Sequence, residues 1–379
     1  MLYATHARVH LSAIAANLRA VAAHVGPRRR ILMPIKADAY GHGAAAVGRY
    51  VAEHALAHSF GVATVPEAIE LREAGIDLPI LKLSMAFPEE LGVALAHDVT
   101  LTVVDEDTAR QAQDAAARTG RVATVHLKVD TGMRRIGCPP EQAGPLSAYL
   151  VRQCPQLRLE GIFTHLPASD TPSEEAFTAH QLRLFARARA DAEAAAGRRL
   201  LAHAANSGGV LAHPDAWLDM VRPGVMLYGS YPDPAVPRTV PLVPALTWES
   251  RVSFVKDVGP GESVGYGRTW TAAQARRLAT VPVGYGDGYD RHLSNRGEVL
   301  IAGRRHPIVG RVCMDQLMVD LGSSESARAR QVAVGDPVTL IGRDGAEEIT
   351  ASDVAAALGT IPYEVTCRIA ARVPRLYDD

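Results

Sequence analysis

One lysine of this 379-residue chain lies where its side chain could do chemistry. The chain has 40 lysine plus arginine residues, but only four are lysines: Lys36, Lys82, Lys128 and Lys256. Lysine titrates and condenses with carbonyl compounds, which arginine cannot do. Lys36 follows the apolar run ILMPI, and desolvation at such a position lowers the pKa of an ammonium group. Two interpretations stay open: a lysine that reaches from a strand end to solvent, and an amine that forms a Schiff base.

Two later segments are typical of phosphate-binding loops. Asn206 to Gly209 reads NSGG, and Arg222 is followed by Pro223 and Gly224. Backbone N–H groups at the start of a helix bind phosphate well, and the hydroxyl group of Tyr40, close after Lys36, can hydrogen-bond a phosphate. Each pattern alone also fits an ordinary loop with a helix cap. Their meaning therefore depends on the elements that carry them.

Eight apolar runs of strand length alternate with helical patterns in the first part of the chain. They are Ile31 to Ile35, Ser59 to Ala63, Pro79 to Leu83, Thr100 to Val104, Thr124 to Val129, Leu159 to Thr164, Leu201 to Ala204 and Leu218 to Val221. Such runs are too apolar to have one face in water. They predict an α/β fold, a (β/α)8 TIM-type barrel. A short strand near Arg8 to Leu11 and a helix from an N-cap at Ser12 to about Val25 precede it.

The barrel prediction brings the reactive residues together, because a barrel carries its chemistry at the carboxyl ends of its strands. Lys36 ends the first strand, Lys128 ends the fifth, and His165 follows the sixth. NSGG and Arg222 follow the seventh and eighth strands, where barrels usually bind phosphate. Phosphate loops opposite a strand-end lysine indicate a phosphorylated aldehyde cofactor, pyridoxal phosphate, which acts as an electron sink in amine chemistry.

A second domain is predicted after a proline-rich boundary. The segment from Tyr231 to Pro244 holds five prolines and suits neither helix nor sheet, so we expect the barrel over 1–235 and a C-terminal domain over 236–379. Apolar runs broken by Gly, Pro and Asp predict a mainly antiparallel β-domain. The runs are Thr247 to Val255, Arg277 to Val283, Glu298 to Ile301, Val312 to Leu321 and Pro337 to Ile341. Only Thr350 to Leu358 is predicted to be helical there.

Composition excludes several classes of protein. The net charge is -1, so no overall field attracts nucleic acid or an anionic membrane. The cysteines, Cys138, Cys154, Cys313 and Cys367, form no C-x-x-C pair, and no H-x-H or H-E-x-x-H motif occurs. We therefore expect neither disulfides nor a metal. The N-terminus lacks the apolar core of a signal peptide, and no run reaches ~18 apolar residues, so we expect a cytoplasmic protein.

Nine segments are similar, in order, to the motifs of the bacterial alanine racemases. They are IKADAYGHG, LKVDTGMRRIG, FTHLPASD, HAANSGG, VRPGVMLYG, VGYGRTW, PVGYGDGYDR, GRVCMDQLMVDLG and TIPYEV. The resemblance extends over almost the whole chain. It implies a pyridoxal-phosphate enzyme of fold type III, with a barrel followed by a β-domain.

The resemblance assigns catalytic roles. Lys36 would be the Schiff-base lysine, and Tyr266 in GYGRTW would be a second base, because racemisation needs bases on opposite faces of the α-carbon. His165 and Arg222 would form a hydrogen-bonded relay behind the tyrosine. Arg222 would also face the pyridine nitrogen, and a guanidinium group cannot give that nitrogen a proton. The ring would then be a weaker electron sink, which limits side reactions such as transamination.

The resemblance also implies the binding residues. The cofactor would be held by Lys36, Tyr40, His165, Asn206, Ser207, Arg222, Gly224, Val225 and Tyr363. The substrate would meet Tyr285, the backbone N–H group of Met314 and Arg135, with the adjacent Arg134 as the alternative. Lys128 matches a family lysine that can carry a carbamate, whereas an unmodified ion pair with Asp130 or another acid is the other interpretation.

The function implied is the interconversion of L- and D-alanine by a homodimer with composite active sites, which would supply D-alanine for peptidoglycan. Three alternatives remain: a racemase of broader specificity, a barrel amino-acid decarboxylase with the same cofactor, and a pyridoxal-phosphate carrier without turnover. A carrier would resemble the barrel alone. A decarboxylase would lack the paired GYGRTW and CMDQ motifs.

Overall fold

The computed structural model describes residues 3–379, which divide into two compact units. One unit is Ile14–Val243, and the other combines the residues up to Ala13 with Pro244–Asp379. The sequence analysis predicted one domain boundary, between residues 235 and 236. The structure adds the first strand, β1 (His6–His10), to the C-terminal unit, because β1 pairs with strands of that unit. Helix α1 (Leu11–Val25) follows directly, so Ser12 lies in its first turn and not at its N-cap.

Eight parallel strands close into a barrel in the unit Ile14–Val243. They are β2 (Arg30–Pro34), β3 (Ser59–Val62), β4 (Ile80–Lys82), β5 (Val99–Val103), β6 (Ala123–Lys128), β7 (Leu157–Phe163), β8 (Leu201–His203) and β9 (Met220–Val221). Each strand pairs with the next, and β9 pairs with β2. Every strand overlaps one of the eight predicted runs, so the barrel prediction is confirmed.

Helices connect the barrel strands. They are α2 (Lys36–Gly41), α3 (Ala44–Glu53), α4 (Val65–Glu73), α5 (Pro88–Ala96), α6 (Glu106–Thr119), α7 (Ala143–Gln153), α8 (Glu175–Ala196) and α9 (Ser207–Ala212). The short α2 is left-handed over most of its length. No helix within residues 3–379 is long and apolar enough to cross a membrane.

The barrel interior changes from apolar to polar along the strands. Leu32, Leu81 and Met220 form a small buried apolar cluster. Towards the carboxyl ends, the buried side chains are polar or charged: Lys82, Thr102, Lys128, His203 and Arg222. Buried charges are costly unless they have partners. This end of the barrel is therefore organised around polar contacts and not around packing alone.

The C-terminal unit is built on antiparallel sheets. Its further strands are β10 (Leu246–Arg251), β11 (Phe254–Val258), β12 (Ser263–Val264), β13 (Trp270–Thr271), β14 (Arg276–Val281), β15 (Glu298–Ile301), β16 (Arg304–Pro307), β17 (Leu317–Ser323), β18 (Pro337–Asp344), β19 (Glu347–Ile349) and β20 (Arg375–Asp378). The main sheet has the order β16-β15-β18-β10-β1-β20, and β11-β14-β17 form a second sheet. Only the pairing of β1 with β20 is parallel among the described strands of this unit. The prediction of a mainly antiparallel domain is confirmed.

Two details of the C-terminal prediction were wrong. Besides α11 (Ala351–Leu358), the unit contains α10 (Ala327–Gln331) and α12 (Pro362–Cys367), which are too short to show a helical period in the sequence. The run Val312 to Leu321 is a strand only from Leu317 onward, so Met314 lies in the preceding loop. The proline-rich residues 231–244 form neither helix nor strand, as predicted.

Candidate active site

Lys36 lies at the carboxyl end of β2, where the chain enters a left-handed turn. The four residues Ala37–Tyr40 have φ between 52° and 56° and ψ between 37° and 50°. None is glycine, and this conformation costs an L-residue roughly 1–2 kcal/mol. Ala39 donates a hydrogen bond to the carbonyl group of Ile35 at 2.8 Å, which closes the turn. Backbone strain of this kind is often found at functional sites.

The turn ends at Tyr40, whose hydroxyl group lies against the loop after β9. A Cβ atom added to Gly224 would be only 2.8 Å from the Tyr40 oxygen and 3.9 Å from Oγ of Ser207. The Tyr40 ring stacks on Tyr228, with 4.9 Å between the ring centroids, and the Tyr228 hydroxyl group donates to the carbonyl group of Pro34 at 2.9 Å. Only glycine at position 224 allows this approach, so three loops meet in a small polar cradle.

The loop after β8 is ordered by Asn206. Its side-chain oxygen accepts hydrogen bonds from the backbone N–H group of Gly209 at 3.0 Å and from the Ser169 hydroxyl group at 2.7 Å. Its amide nitrogen donates to the carbonyl group of Leu166 at 2.9 Å. The next residue, Ser207, accepts from the backbone N–H group of Gly224 at 2.9 Å. Asn206 thus caps α9 and fixes the position of Ser207.

Arg222, just after β9, is buried and strongly hydrogen-bonded. Its Nη1 atom donates to Nδ1 of His203 at 2.7 Å, and its Nη2 atom donates to the carbonyl groups of Thr164 and Ala204 at 2.7 and 3.0 Å. Within residues 3–379, no hydrogen bond joins His165 to Arg222. The structure pairs Arg222 with His203, and the relay through His165 that the family resemblance implies stays a prediction.

A chain of hydrogen bonds continues from His203 through the barrel. A guanidinium group only donates, so His203 accepts at Nδ1 and carries its hydrogen on Nε2, which lies 2.9 Å from Nδ1 of His126. His126 in turn carries its hydrogen on Nε2, 3.4 Å from the Glu160 carboxylate. Burial and the charge of Arg222 lower the pKa of His203 well below 6.5. This series of hydrogen bonds requires a neutral His203.

Phe163, the last residue of β7, supports two cations. Its ring stacks on His203, with 4.7 Å between centroids and 4° between planes. Nζ of Lys128 and Cζ of Arg222 lie 5.2 and 5.5 Å from its centroid, within cation–π range. Burial lowers the pKa of Arg222 to about 9, so its guanidinium group is still protonated at neutral pH.

Lys128, at the end of β6, is 2% exposed and donates a hydrogen bond to the carbonyl group of Val129 at 3.1 Å. Burial, followed by the charge of Arg222, lowers the pKa of Lys128 to about 7. One oxygen of the Asp130 carboxylate accepts two backbone N–H groups, from Gly132 at 2.8 Å and from Arg134 at 3.1 Å. Over residues 3–379, Lys128 forms no ion pair with Asp130 or with another acid.

His165 lies among the cations of the barrel mouth. Burial first, and then the charges of Arg222, Lys128, Arg135 and Lys36, lower the pKa of His165 well below 6.5. Arg135 thus acts on both His165 and Lys128. Arg134 has a left-handed backbone, with φ 59°. The positive charges of Arg222, Arg135 and Lys36 around a neutral histidine favour an anionic ligand, such as a phosphate or carboxylate.

Tyr266 lies in the C-terminal unit, in the loop of the hairpin formed by β12 and β13. Gly265 and Gly267 on either side have φ of 74° and 72°, a region that glycine adopts without strain. An added Cβ on Gly265 would also lie 3.2 Å from the backbone nitrogen of Arg311. Glycine therefore suits both positions of this loop, and Tyr266 between them is 72% exposed.

Tyr285 and Met314 lie on two loops that contact each other in the same unit. The backbone N–H group of Tyr285 donates to the carbonyl group of Cys313 at 3.0 Å. Arg372 fastens both loops, because it donates to the carboxylates of Asp287 and Asp315 at 2.8 Å each. A Cβ on Gly284 would overlap the carbonyl oxygens of this contact. The glycines of GYGDG thus serve close loop packing.

The remaining predicted residues lie in short helical segments. Val225 is buried and begins the 3-10 turn Val225–Tyr228. Tyr363 is half-buried in the first turn of α12.

Sequence reasoning missed several side chains that organise the barrel mouth and the second unit: Glu67, His126, Glu160, Phe163 and Arg372. His126 and Glu160 did carry a signal, since each is a polar residue inside an apolar strand run. Glu67 carried one too, since Thr64-x-x-Glu67 has the pattern of a capping box. Phe163 and Arg372 carried none, because their contacts join residues far apart in sequence.

Two family descriptions match the chain. The N-terminal domain of alanine racemase matches residues 9–232, and the C-terminal domain of alanine racemase matches residues 245–377. An alanine racemase of Cutibacterium acnes is 50% identical over 373 residues, which cover 98% of this chain and 97% of that protein.

Solved structures agree with this. The alanine racemase of Clostridium difficile 630 has a TM-score of 0.92 at 36% identity, and the match covers 100% of this chain and 96% of that one. The alanine racemase of Bartonella henselae, solved with covalently bound pyridoxal phosphate, has a TM-score of 0.87 at 27% identity and 99% coverage of each chain. With matching domains over most of its length and a relative at 50% identity, the chain belongs to the alanine racemase family.

Proposed function

We propose that the chain interconverts L- and D-alanine by a two-base mechanism, with pyridoxal phosphate attached to Lys36. Family membership makes it an amino-acid racemase, an isomerase. The observation that carries the proposal is the barrel mouth, where one turn joins Lys36 to Tyr40 and the Tyr40 hydroxyl group lies against Gly224, whose N–H group donates to Ser207. The Bartonella henselae relative with its covalently bound cofactor supports the attachment.

The residues present fit pyridoxal phosphate. Its phosphate group would lie in the cradle of Tyr40, Ser207 and the backbone N–H groups of Gly224 and Val225, where a side chain on Gly224 would leave no room. The cations around His165 suit its negative charge. Asn206 orders the loop that carries Ser207. Tyr363 from α12 completes the proposed phosphate set.

The two bases would act on opposite faces of the substrate. Pyridoxal phosphate, when bound, withdraws electrons from the α-carbon of an attached amino acid. The Tyr266 oxygen would remove the proton of L-alanine, and Nζ of Lys36 would remove that of D-alanine. The high exposure of the Tyr266 side chain leaves its oxygen accessible to a substrate held by another surface.

Arg222 would face the ring nitrogen of the cofactor as a protonated donor. Its remaining donors are held by His203 and two backbone carbonyl groups, so its position is fixed from three sides. A guanidinium group does not give up its proton at neutral pH. Arg222 would therefore limit electron withdrawal and suppress transamination. His165, which is neutral because its pKa is lowered well below 6.5, would line the same cofactor pocket.

The substrate carboxylate would be bound by Arg135, Tyr285 and the backbone N–H group of Met314. Lys128 would carry a carbamate, and this group would hold Arg135 in position. Its pKa near 7 leaves about half of its amine unprotonated at neutral pH. The amine nitrogen would attack the carbon of CO₂ and lose a proton to water. The resulting anion would give Arg135 a partner that Asp130, engaged with two backbone N–H groups, does not provide.

The active unit would be a homodimer with composite active sites. In the single chain, Tyr266 is 72%, Met314 53% and Tyr285 43% exposed. Their exposure leaves these side chains available to a partner protomer. Two-fold symmetry would bring the Tyr266 loop of each protomer to the barrel mouth of its partner and complete both sites at once.

The test of the activity is optical rotation. The purified protein should convert L-alanine to the racemate and should act less on L-serine and L-lysine. Comparable rates with all three would favour a racemase of broader specificity. Release of CO₂ would indicate a decarboxylase, and no change with any amino acid would indicate a carrier.

The cellular setting is also a proposal. Supply of D-alanine for peptidoglycan fits a cytoplasmic enzyme. The buried thiols of Cys138 and Cys154 are consistent with a reducing compartment.

A further inference from the structure

The left-handed turn after Lys36 is held from outside by one carboxylate. Oε1 of Glu67 accepts a hydrogen bond at 2.8 Å from the backbone N–H group of Ala37, in the peptide that joins Lys36 to Ala37. Oε2 of the same carboxylate accepts the N–H groups of Ala63 at 2.7 Å and Thr64 at 3.0 Å. Glu67 therefore ties the peptide after Lys36 to the end of β3 and the start of α4.

The first N–H group of a helical turn has no partner inside the turn. The N–H groups of Ala39 and Gly43 have local backbone acceptors, the carbonyl groups of Ile35 at 2.8 Å and Asp38 at 2.9 Å. The N–H group of Ala37 donates instead to Glu67, outside the turn. Because the backbone from Ala37 to Tyr40 is in a region that L-residues avoid, contacts from outside the turn decide whether it persists.

We infer that Glu67 is a positioning residue for both Lys36 and Tyr40. The inference rests on the proposed function, in which Lys36 holds one end of the cofactor and Tyr40 holds its phosphate. A single turn joins the two residues, so a change of its pitch moves both groups at once. A charged acceptor binds an N–H group more strongly than a neutral one. The carboxylate at position 67 would therefore set the distance between the two attachment points.

A purely structural role must be separated from this, because Glu67 also completes the capping box of α4 with Thr64. The chain offers two controls. Glu90 has the same position in α5, where its carboxylate accepts the N–H group of Phe87 at 2.9 Å. Thr64→Ala weakens the cap of α4 and leaves the bond from Ala37 to Glu67 in place.

The test compares Glu67→Gln with Glu90→Gln and Thr64→Ala. In cofactor-free protein, hydrogen exchange of the peptide spanning residues 35–43 is followed by mass spectrometry. Loss of a charge-assisted hydrogen bond should speed exchange there about tenfold in Glu67→Gln and leave it unchanged in both controls. The Kd for pyridoxal phosphate, from absorbance titration, should rise by about the same factor in Glu67→Gln alone. Glu67→Asp, which keeps the charge but shortens the side chain, is a second variant. It should show the same direction of change as Glu67→Gln in both exchange and Kd.

A glycine rescue separates positioning from capping. Ala37 is exposed and has φ 52°, so Ala37→Gly in the Glu67→Gln background should favour the turn and restore much of the cofactor affinity. Ala55, also exposed with φ 51°, is the matched site. Ala55→Gly should not restore affinity.

Equal exchange in the turn peptide of Glu67→Gln and Glu90→Gln, or equal rescue by both glycines, would overturn the inference. The proposed function has its own check in the wild-type protein, where borohydride reduction should tag Lys36. A tag on another lysine would overturn the proposed function. A normal tag on Lys36 in Glu67→Gln, with unchanged exchange and affinity, would overturn this inference alone.

Discussion

Arg222 and His203 share a hydrogen bond of 2.7 Å in which the guanidinium group is the donor. His203 therefore stays neutral and donates from Nε2 to His126, which in turn donates to Glu160. The guanidinium group of Arg222 thus sets the direction of all three hydrogen bonds. The carbonyl groups of Thr164 and Ala204 hold the other side of the guanidinium group. A ring nitrogen placed against Arg222 would meet a fixed donor that retains its proton.

Replacement of Arg222 by glutamate should raise transamination relative to racemisation. A carboxyl group can share a proton with the ring nitrogen and make the ring a stronger electron sink. The measurement is pyruvate release per racemisation event with L-alanine. Arg222→Lys, which keeps the charge, is the control and should show little pyruvate. If a folded, cofactor-bound Arg222→Glu protein forms no more pyruvate than the lysine variant, Arg222 does not face the nitrogen.

Removal of the Lys36 amine should abolish covalent attachment of the cofactor. Lys36→Ala should lose the visible absorbance of lysine-linked pyridoxal phosphate and nearly all racemase activity, since one base and the attachment point disappear together. Lys256→Ala, at an exposed position on β11, should retain both. Retention of the absorbance by Lys36→Ala would assign the attachment to another lysine.

The barrel could be predicted from sequence because each strand is a local apolar run, and a polar residue directly after such a run marks the strand end. That rule found Lys36, Lys128, His165 and Arg222. It could not find the left-handed turn at Ala37–Tyr40, because four non-glycine residues give no local signal for positive φ.

Other contacts depend on tertiary pairing. His126 meets His203 through the register of β6, β7 and β8, which includes an irregularity next to His126. Arg372 joins two aspartates 85 and 57 residues away in sequence. No periodicity of the sequence encodes such pairs. The motif resemblance supplied the identities of the proposed site residues but not these contacts.

Lys128 should make stability depend on pH above neutrality. Its pKa is about 7 in the folded chain, against an ordinary value of 10.5. Between these values the unfolded chain binds the extra proton, so the free energy of unfolding rises with pH, by at most about 1.4 kcal/mol per unit. Below pH 7 this contribution is constant. Urea unfolding of cofactor-free protein in CO₂-free buffer at pH 7 and 9 measures the rise.

Lys128→Met should reduce the rise between those two pH values by roughly 2 kcal/mol. Lys256→Met, which removes an exposed lysine, should leave it unchanged. Parallel pH profiles for the wild-type and Lys128→Met proteins would mean that Lys128 titrates at its ordinary pKa in the fold. A separate measurement tests the carbamate. If it forms, bicarbonate should stabilise the wild-type protein but not Lys128→Met.

Loss of the Tyr266 hydroxyl group should affect one face of the substrate more than the other. Tyr266→Phe keeps the ring and removes the proposed base for L-alanine. Exchange of the α-proton with deuterated solvent, followed in single turnovers, should slow most strongly from the L enantiomer. Tyr285→Phe serves as a comparison that removes a hydroxyl group from the proposed carboxylate site. Equal slowing from both enantiomers in Tyr266→Phe would argue against separate bases on two faces.

The composite dimer predicts that two inactive variants restore activity together. Lys36→Ala removes a barrel residue and Tyr266→Ala removes a residue of the C-terminal unit. If each site takes Lys36 from one protomer and Tyr266 from its partner, every heterodimer has one intact site and one doubly altered site. Random joint refolding of equal amounts makes about half of the dimers heterodimers, so the mixture should recover roughly a quarter of wild-type activity. Refolding each variant alone is the control. Verified heterodimers without activity, or full activity in a demonstrated monomer, would show that each site is built from a single chain.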